Sequence, residues 1–582
     1  MLDHANVPSL AHQLSLALHL VYPDEDCGEL ASRCIAAFFG DCEPRDERRQ
    51  PTNELWDERD NYVITYGNTL QDGVHKPLDL LREFAESYCS PVFSGVHILP
   101  FFPFTSDDGF AVTDYRAVNS QLGDWEDINR IADGFTLMSD LVINHCSSQS
   151  RMFNEYLLGN EPYDRFFFEA SPNDDLSSVV RPRTHPLLRP VETANGTRHV
   201  WCTFSHDQVD FDFRNPQVLI EFLDIMRFHI ANGVRTFRLD AVAFLWKVVG
   251  TDCIHLPETH EIIRLFRLLV DYHPEPIVLI TETNVPNAEN LSYFGNRNEA
   301  HLVYNFSLPP LLLHGLLNGS SKYLNAWQMA MPPAQLGCTY FNFSSSHDGI
   351  GLRPAEGLIP EDELAAMIDT VTGFGGQVSM RALSCGGESP YELNSSWMDA
   401  FKGTRDGLDG LQLQRFLASQ AIVMGLEGIP AFYIHCLLAT PNDLEGVERF
   451  GYNRAINRKR LEQPEIRKQL ADPASLVHEA FFGIREMLAV RRDQAAFHPN
   501  ATQFTLQLGE PFFGFWRQSM DRSQSIFAVT NLTAHEQSIP LYSLNLIGGD
   551  DWRDLLSGDA VEPSQTQVVF APYQTRWISN KK

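Results

Sequence analysis

Apolar residues recur at helical spacing over 10–20 and 30–39, between charged positions, and predict two helices in an N-terminal extension that reaches to about residue 60. The texture then changes. Tyr62-Val63-Ile64-Thr65-Tyr66 is a short β-branched and aromatic run of the kind strands favour. Leu78, Leu81 and Ala85 fall on one face of a predicted helix over 78–88, and Val96-His97-Ile98-Leu99-Pro100 reads as the next strand. A helix over 125–133 and a strand over 135–144 repeat that order. The alternation resumes with a helix over 216–231, a strand running from Val234 to Asp240, a helix over 258–272 and the strand Ile277-Val278-Leu279-Ile280-Thr281. Strands near 302–306 and 339–344, a helix over 411–426, a strand over 429–434 and a closing helix over 475–490 complete it.

Eight strand–helix units in succession predict an α/β fold: a (β/α)8 TIM barrel, whose active site lies at the C-terminal ends of the strands. Two stretches break the period and are expected to be irregular insertions, 146–208 after strand three and 349–405 after strand seven. Beyond about 497, Phe504-Thr505-Leu506-Gln507-Leu508, Phe512-Phe513-Gly514-Phe515-Trp516 and Ser525-Ile526-Phe527-Ala528-Val529 are strand-like runs between turns. The expected units are therefore a helical extension (1–60), a catalytic barrel (61–496) and a C-terminal antiparallel β domain (497–582).

Composition narrows the function classes. With 43% hydrophobic residues the chain can bury a large core, and its formal net charge of −30 argues against nucleic acid and anionic membranes as partners. It also means that an anionic substrate needs a local cluster of arginine or lysine. No apolar run reaches the roughly 20 residues of a membrane span. Met1-Leu2-Asp3-His4 lacks a basic region followed by an apolar core, so no signal peptide and a cytoplasmic location are expected. The closest cysteines, Cys27, Cys34 and Cys42, fit no common zinc spacing, and the ten cysteines read as buried thiols in a reducing compartment. No cofactor and no metal are expected; Asp174 and Asp175 read as a solvated loop.

The candidate chemistry sits at the predicted strand ends. In Gly233-Val234-Arg235-Thr236-Phe237-Arg238-Leu239-Asp240, Arg238 and Asp240 point to the same side of the strand, and a buried ion pair is costly unless its members serve each other or a ligand. Asn144-His145 follows strand three, Glu282 follows strand five and Ser346-His347-Asp348 follows strand seven. A retaining glycosidic reaction needs one ionised and one protonated carboxyl about 5–5.5 Å apart. Arg238 lowers the pKa of Asp240, whereas Glu282 follows an apolar strand with no basic neighbour in sequence, which suits a raised pKa.

These four motifs, in this order, resemble the signature regions of the α-amylase superfamily (glycoside hydrolase family 13), over about residues 60–580. The resemblance implies that Asp240 is the nucleophile, Glu282 the general acid/base and Asp348 a third carboxylate stabilising the transition state. It implies that Arg238 keeps Asp240 ionised and that His145 and His347 bind sugar hydroxyls. Asp107-Asp108-Gly109-Phe110, the run from Leu308 to His314, and Asn453-Arg454-Ala455-Ile456-Asn457-Arg458 resemble the sucrose-phosphorylase branch. There Asp107 and Phe110 would hold the glucosyl unit, with Arg454, or in its place Arg458, as the sugar-binding arginine. Arg181-Pro182-Arg183 resembles the branch's phosphate-side loop, and two arginines around a stiff proline suit a phosphate dianion. Tyr391-Glu392 aligns with its mobile acceptor loop.

Phe244 and Asn284 stand where sucrose phosphorylases carry a tyrosine and a fructose-contacting histidine, which counts against sucrose. Thr281-Glu282-Thr283-Asn284-Val285-Pro286, with Phe244-Leu245-Trp246-Lys247 and Cys253-Ile254-His255-Leu256-Pro257, resembles glucosylglycerate phosphorylases. The reaction this implies is 2-O-α-glucosylglycerate plus phosphate giving α-glucose 1-phosphate and glycerate, so the partners are a small α-glucoside and inorganic phosphate. Sucrose, sucrose 6′-phosphate and glucosylglycerol phosphorylases are the alternatives, followed by an α-glucosidase-type hydrolase and an inactive carbohydrate-binding barrel. An arginine or lysine in the insertions is expected to meet the glycerate carboxylate.

Overall fold

The computed structural model describes residues 9–50, 55–382, 387–544, 546, 551–562 and 564–581. Residues 1–4, whose pattern argues against a signal peptide, and 383–386 of the second insertion lie outside the described residues. Eight parallel strands close a barrel: β1 (Tyr62–Thr65), β2 (Gly95–Ile98), β3 (Thr136–Val142), β4 (Val234–Asp240), β5 (Val278–Thr281), β6 (Leu302–Tyr304), β7 (Thr339–Phe343) and β8 (Ile429–Tyr433). Closure comes from β1 pairing with β8, with Tyr62 opposite Ala431. These strands are buried on both faces, which is why they read as short continuous apolar runs rather than alternating ones.

The helices that wrap the barrel form for local reasons. In Pro216–Ala231, Asn215 caps the first turn by accepting the Gln217 N–H at 3.0 Å, and Pro216 occupies the first turn, where no N–H is needed. Val218, Phe222, Ile225 and His229 recur on its buried stripe. The chain then turns into β4 through Gly233, which has a φ of +90° and where a Cβ would lie 2.8 Å from the Ala132 Cβ.

Helices Leu10–Val21 and Cys27–Phe39 pack against each other, and their buried leucines and phenylalanines join the core of the barrel. In the C-terminal sheet, residues alternate between two cores. Phe513, Phe515, Ile526, Ala528 and Trp577 face the barrel, whereas Phe512, Phe527, Val529 and Ile578 face a separate apolar cluster.

The two insertions are not irregular. The first holds a helix, Arg151–Leu158, capped by Ser150 and ended by Gly159 in the left-handed region, and a hairpin of Leu188–Thr193 with Gly196–Trp201. The second holds helix Glu361–Gly373 and a three-stranded antiparallel sheet of Ile350–Gly351, Glu388–Asn394 and Gln377–Ala382. The period of helix Glu361–Gly373 is faint because only Met367 and Val371 are buried in it.

Three histidines fully enclosed in this fold carry a stability consequence. Burial lowers His229 and His301 to about 4 and His435 to about 3. The unfolded chain takes up these protons near pH 6.5 and the folded chain does not. Stability is therefore expected to fall as pH drops from about 6.5 to about 4, by about 1.4 kcal/mol per pH unit for each histidine. A urea midpoint that stays level across that window would contradict this.

Candidate active site

Strand β4 sets the site. Its register places Asp140 of β3 opposite Arg238 and Val142 opposite Asp240. Arg238 Nη1 donates to Asp140 Oδ1 at 2.5 Å and to Asp240 Oδ1 at 2.6 Å, so one nitrogen ties two strands together. His97 of β2 completes the row, with Nε2 2.7 Å from Asp140 Oδ2. The Arg238–Asp240 pair is thus both a structural member of the barrel and part of its mouth. Asp140 and His97 went unrecognised in the sequence, although a charge in the middle of Leu137-Met138-Ser139-Asp140-Leu141-Val142 was a usable signal.

Arg238 also reaches the second carboxyl, its Nη2 lying 3.9 Å from Glu282 Oε1. Directly after Asp240, Ala241 has a φ of +51°, a conformation that costs a residue with a Cβ about 1–3 kcal/mol. In that conformation its N–H donates to Glu282 Oε2 at 3.0 Å. Asp348 is held by Arg454, whose Nη1 is 2.6 Å from its Oδ1. Arg454 is itself gripped by both oxygens of Glu392, at 2.5 and 3.0 Å. Arg458 lies behind this row: it donates to Asp108 Oδ2 at 2.7 Å and to the His347 carbonyl at 2.9 Å.

The electrostatics separate the three carboxyls. Burial pushes Asp240 up; Arg238 opposes the rise, and the charges of Glu282 and Asp140 add to it. Arg238 does lower Asp240, as its place two residues away in sequence implies, but desolvation in the closed barrel mouth raises it more. Burial also raises Glu282, with Arg238 opposing and Asp348 adding. The Asp240–Glu282 pair therefore holds on to a proton more readily than two free carboxyls. Arg238, bonded to Asp240 and only near Glu282, favours that proton on Glu282. At Asp348 burial works against the charge, but Arg454, Arg458, Arg238 and Arg183 outweigh it and hold the carboxyl below its ordinary range.

Both histidines are pushed towards the neutral form. Burial lowers His145, and burial with Arg458 and Arg238 lowers His347 well below its ordinary value. Phe110 stacks flat on His347 with ring centroids 5.0 Å apart. Gln208, a residue that sequence reasoning missed, links His145 Nε2 at 3.1 Å to Asp107 Oδ2 at 3.4 Å. It comes from the first insertion, far from either partner in sequence.

One cleft, about 730 Å³ of space counting its open mouth, collects these groups. Asp107, Phe110, His145, Arg183, Arg238, Asp240, Glu282, Asn284, His347, Asp348, Tyr391, Glu392 and Arg454 all line it, and so do Phe244 and Arg353. Arg181 is not among them: its guanidinium donates to the His185 carbonyl instead. Of the two arginines only Arg183 reaches the wall, 5.7 Å over the ring of Tyr391 and 5.9 Å over that of Phe204. Among the described residues no group of three or more His, Cys, Asp or Glu is placed to hold a metal ion.

Residues 72–337 match the α-amylase catalytic domain. A glucosylglycerate phosphorylase of Spirochaeta thermophila is 42% identical over 532 residues, 90% of each chain. The chain is a member of the α-amylase family, on its glycoside-phosphorylase branch. Another relative of this α-amylase-family protein, a glucosylglycerate phosphorylase of Escherichia coli K12, is 39% identical over 91% of this chain and 93% of its own. In fold, the family member resembles the crystal structure of sucrose 6F-phosphate phosphorylase from Thermoanaerobacter thermosaccharolyticum, with a TM-score of 0.72, 24% identity, and 88% of this chain and 98% of that one covered.

Proposed function

We infer that this protein is a retaining glycoside phosphorylase that exchanges glycerate for phosphate on 2-O-α-glucosylglycerate. What carries this reading is a nucleophile–acid pair sharing one guanidinium, Asp240 and Glu282 on Arg238, in a cavity whose wall also carries Arg183. In the first step Asp240 Oδ attacks the anomeric carbon, the glycosidic C–O bond breaks and Glu282 gives its proton to the departing glycerate oxygen. Asp348, held ionised by arginines, faces the positive charge that builds on the ring. In the second step a phosphate oxygen attacks the same carbon from the vacated face, the bond to Asp240 breaks and the proton of the phosphate returns to Glu282. Phosphate is already acidic, so Glu282 has less to do there.

His145, His347, Asp107, Phe110 and Arg454 shape the glucosyl pocket in this proposal, with imidazoles that burial pushes towards the neutral form offering hydrogen bonds. Tyr391, Glu392 and Asn284 border the acceptor side. Arg183 takes the phosphate. Arg183→Ala is expected to raise the phosphate KM about ten-fold or more, whereas Arg181→Ala, whose guanidinium serves a carbonyl, changes it little. Equal phosphate dependence in wild type and Arg183→Ala would remove Arg183 from the site.

The substrate is tested with a panel of α-glucosides, measuring free glucose and glucose 1-phosphate with and without phosphate. Phosphate-dependent glucose 1-phosphate from glucosylglycerate, ahead of sucrose and glucosylglycerol, is the expected result; phosphate-independent glucose release would make the protein a hydrolase. A cytoplasmic location belongs to the same proposal, supported by nine unpaired cysteines among the described residues. No helix among those residues is long and apolar enough to cross a membrane. The three units 1–60, 61–496 and 497–582 are proposed as before, supported by the separate apolar cluster of the last.

A further inference from the structure

We propose that Arg353 recognises the carboxylate of the acceptor acid and that Asn284 beside it receives one of the acceptor's hydroxyls; this rests on the glucosylglycerate reading above. Two anions use the acceptor side in turn, glycerate and then phosphate, in a chain of net charge −30. Each needs a cation that is not already committed. Arg238 is bound to Asp140 and Asp240, Arg454 to Asp348 and Glu392, and Arg458 to Asp108. Two arginines of the cavity wall have no carboxylate within hydrogen-bond length among the described residues, Arg183 and Arg353.

Arg353 opens a short turn of 3-10 helix, Arg353–Ala355, just after strand Ile350–Gly351 of the second insertion. Its side chain is only 14% exposed. Its one acidic neighbour, Glu289, lies 3.8 Å away, is 43% exposed, and is shared with His255 Nε2 at 3.1 Å. Such a guanidinium has an ion-pair neighbour but no carboxylate within hydrogen-bond length, which leaves its fork available for bidentate capture of a carboxylate.

Glu282, Asn284 and Arg353 line the same cavity. Asn284 lies two residues beyond Glu282. Its side chain packs onto Gly351, where a Cβ would come within 2.6 Å of Asn284 Oδ1. Arg353 lies two residues beyond Gly351. Asn284 Oδ1 is buried against Gly351 and has no hydrogen-bond partner, and Asn284 is one of the residues that line the cavity. In glycerate the carboxylate and the free primary hydroxyl lie on either side of the carbon that carries the oxygen Glu282 protonates. An acceptor with that arrangement meets a cation and an acceptor oxygen at once.

The test runs in the synthetic direction, from α-glucose 1-phosphate, with glycerate and glycerol as competing acceptors and the full chain as enzyme. In Arg353→Ala the ratio of kcat/KM for glycerate over glycerol is expected to fall about 100-fold, and Arg353→Lys to recover about ten-fold of it, keeping the charge but not the fork. Arg353→Gln, nearer in shape, repeats the measurement should the alanine variant fold poorly. If Ala and Gln variants keep the ratio within about three-fold of a wild type that prefers glycerate, Arg353 is not the carboxylate site. A wild type that does not use glycerate overturns the substrate reading itself, and shows this without any variant.

Discussion

Asp240→Asn is expected to lower phosphorolysis by on the order of 10⁴-fold or more, while leaving the protein folded. Asparagine keeps an oxygen for the Arg238 Nη1 donor, now 2.6 Å from Asp240, but it cannot form the glycosyl ester on which a double displacement depends. The change is also gentle on the fold. Burial raises the Asp240 carboxyl, so its charged form is a strain on the closed barrel, and Arg238 retains Asp140 when that charge is removed. The melting temperature should therefore stay level or rise slightly. The decisive measurement is intact mass after acid quenching. Wild type incubated with substrate in the absence of phosphate should gain one glucosyl unit, and Asp240→Asn should gain none. Turnover within about ten-fold of wild type would place the nucleophile elsewhere.

Glu282→Gln is expected to cost about 10³-fold on glucosylglycerate, because the departing alkoxide then leaves without a proton. The loss should depend on the leaving group. α-Glucosyl fluoride, whose fluoride departs unprotonated, should restore the first step, which a merely structural defect could not do. The pH profile gives a second readout. Burial raises Glu282, so its acid form persists to higher pH than an exposed glutamate's. Wild-type kcat/KM should fall as pH rises through that elevated value, and Glu282→Gln should lack this basic limb. A basic limb that survives in the variant would assign the acid to another group.

The barrel could be read from the chain because each of its units is local. A strand buried on both faces is a continuous apolar run, a wrapping helix is a 3.6-residue stripe, and the order of the two needs no tertiary information. The strand ends were legible for the same reason: Asp240, Glu282 and Asp348 each follow a recognisable run, and closure of the barrel must bring such ends together at one mouth.

What folding alone decided lies between elements distant in sequence. Asp140 and His97 entered the site through strand register, which no single strand carries. Gln208 joins His145 to Asp107, and Arg353 and Asn284 come to line one cavity, through insertions whose short elements are packed by the barrel mouth rather than by their own periodicity. Arg181 and Arg183 are alike in sequence and differ only in the direction their side chains leave the loop. The ionisation of Asp240 follows the same division. Its arginine partner was visible two residues away, but the burial that outweighs it exists only once eight strands have closed around both.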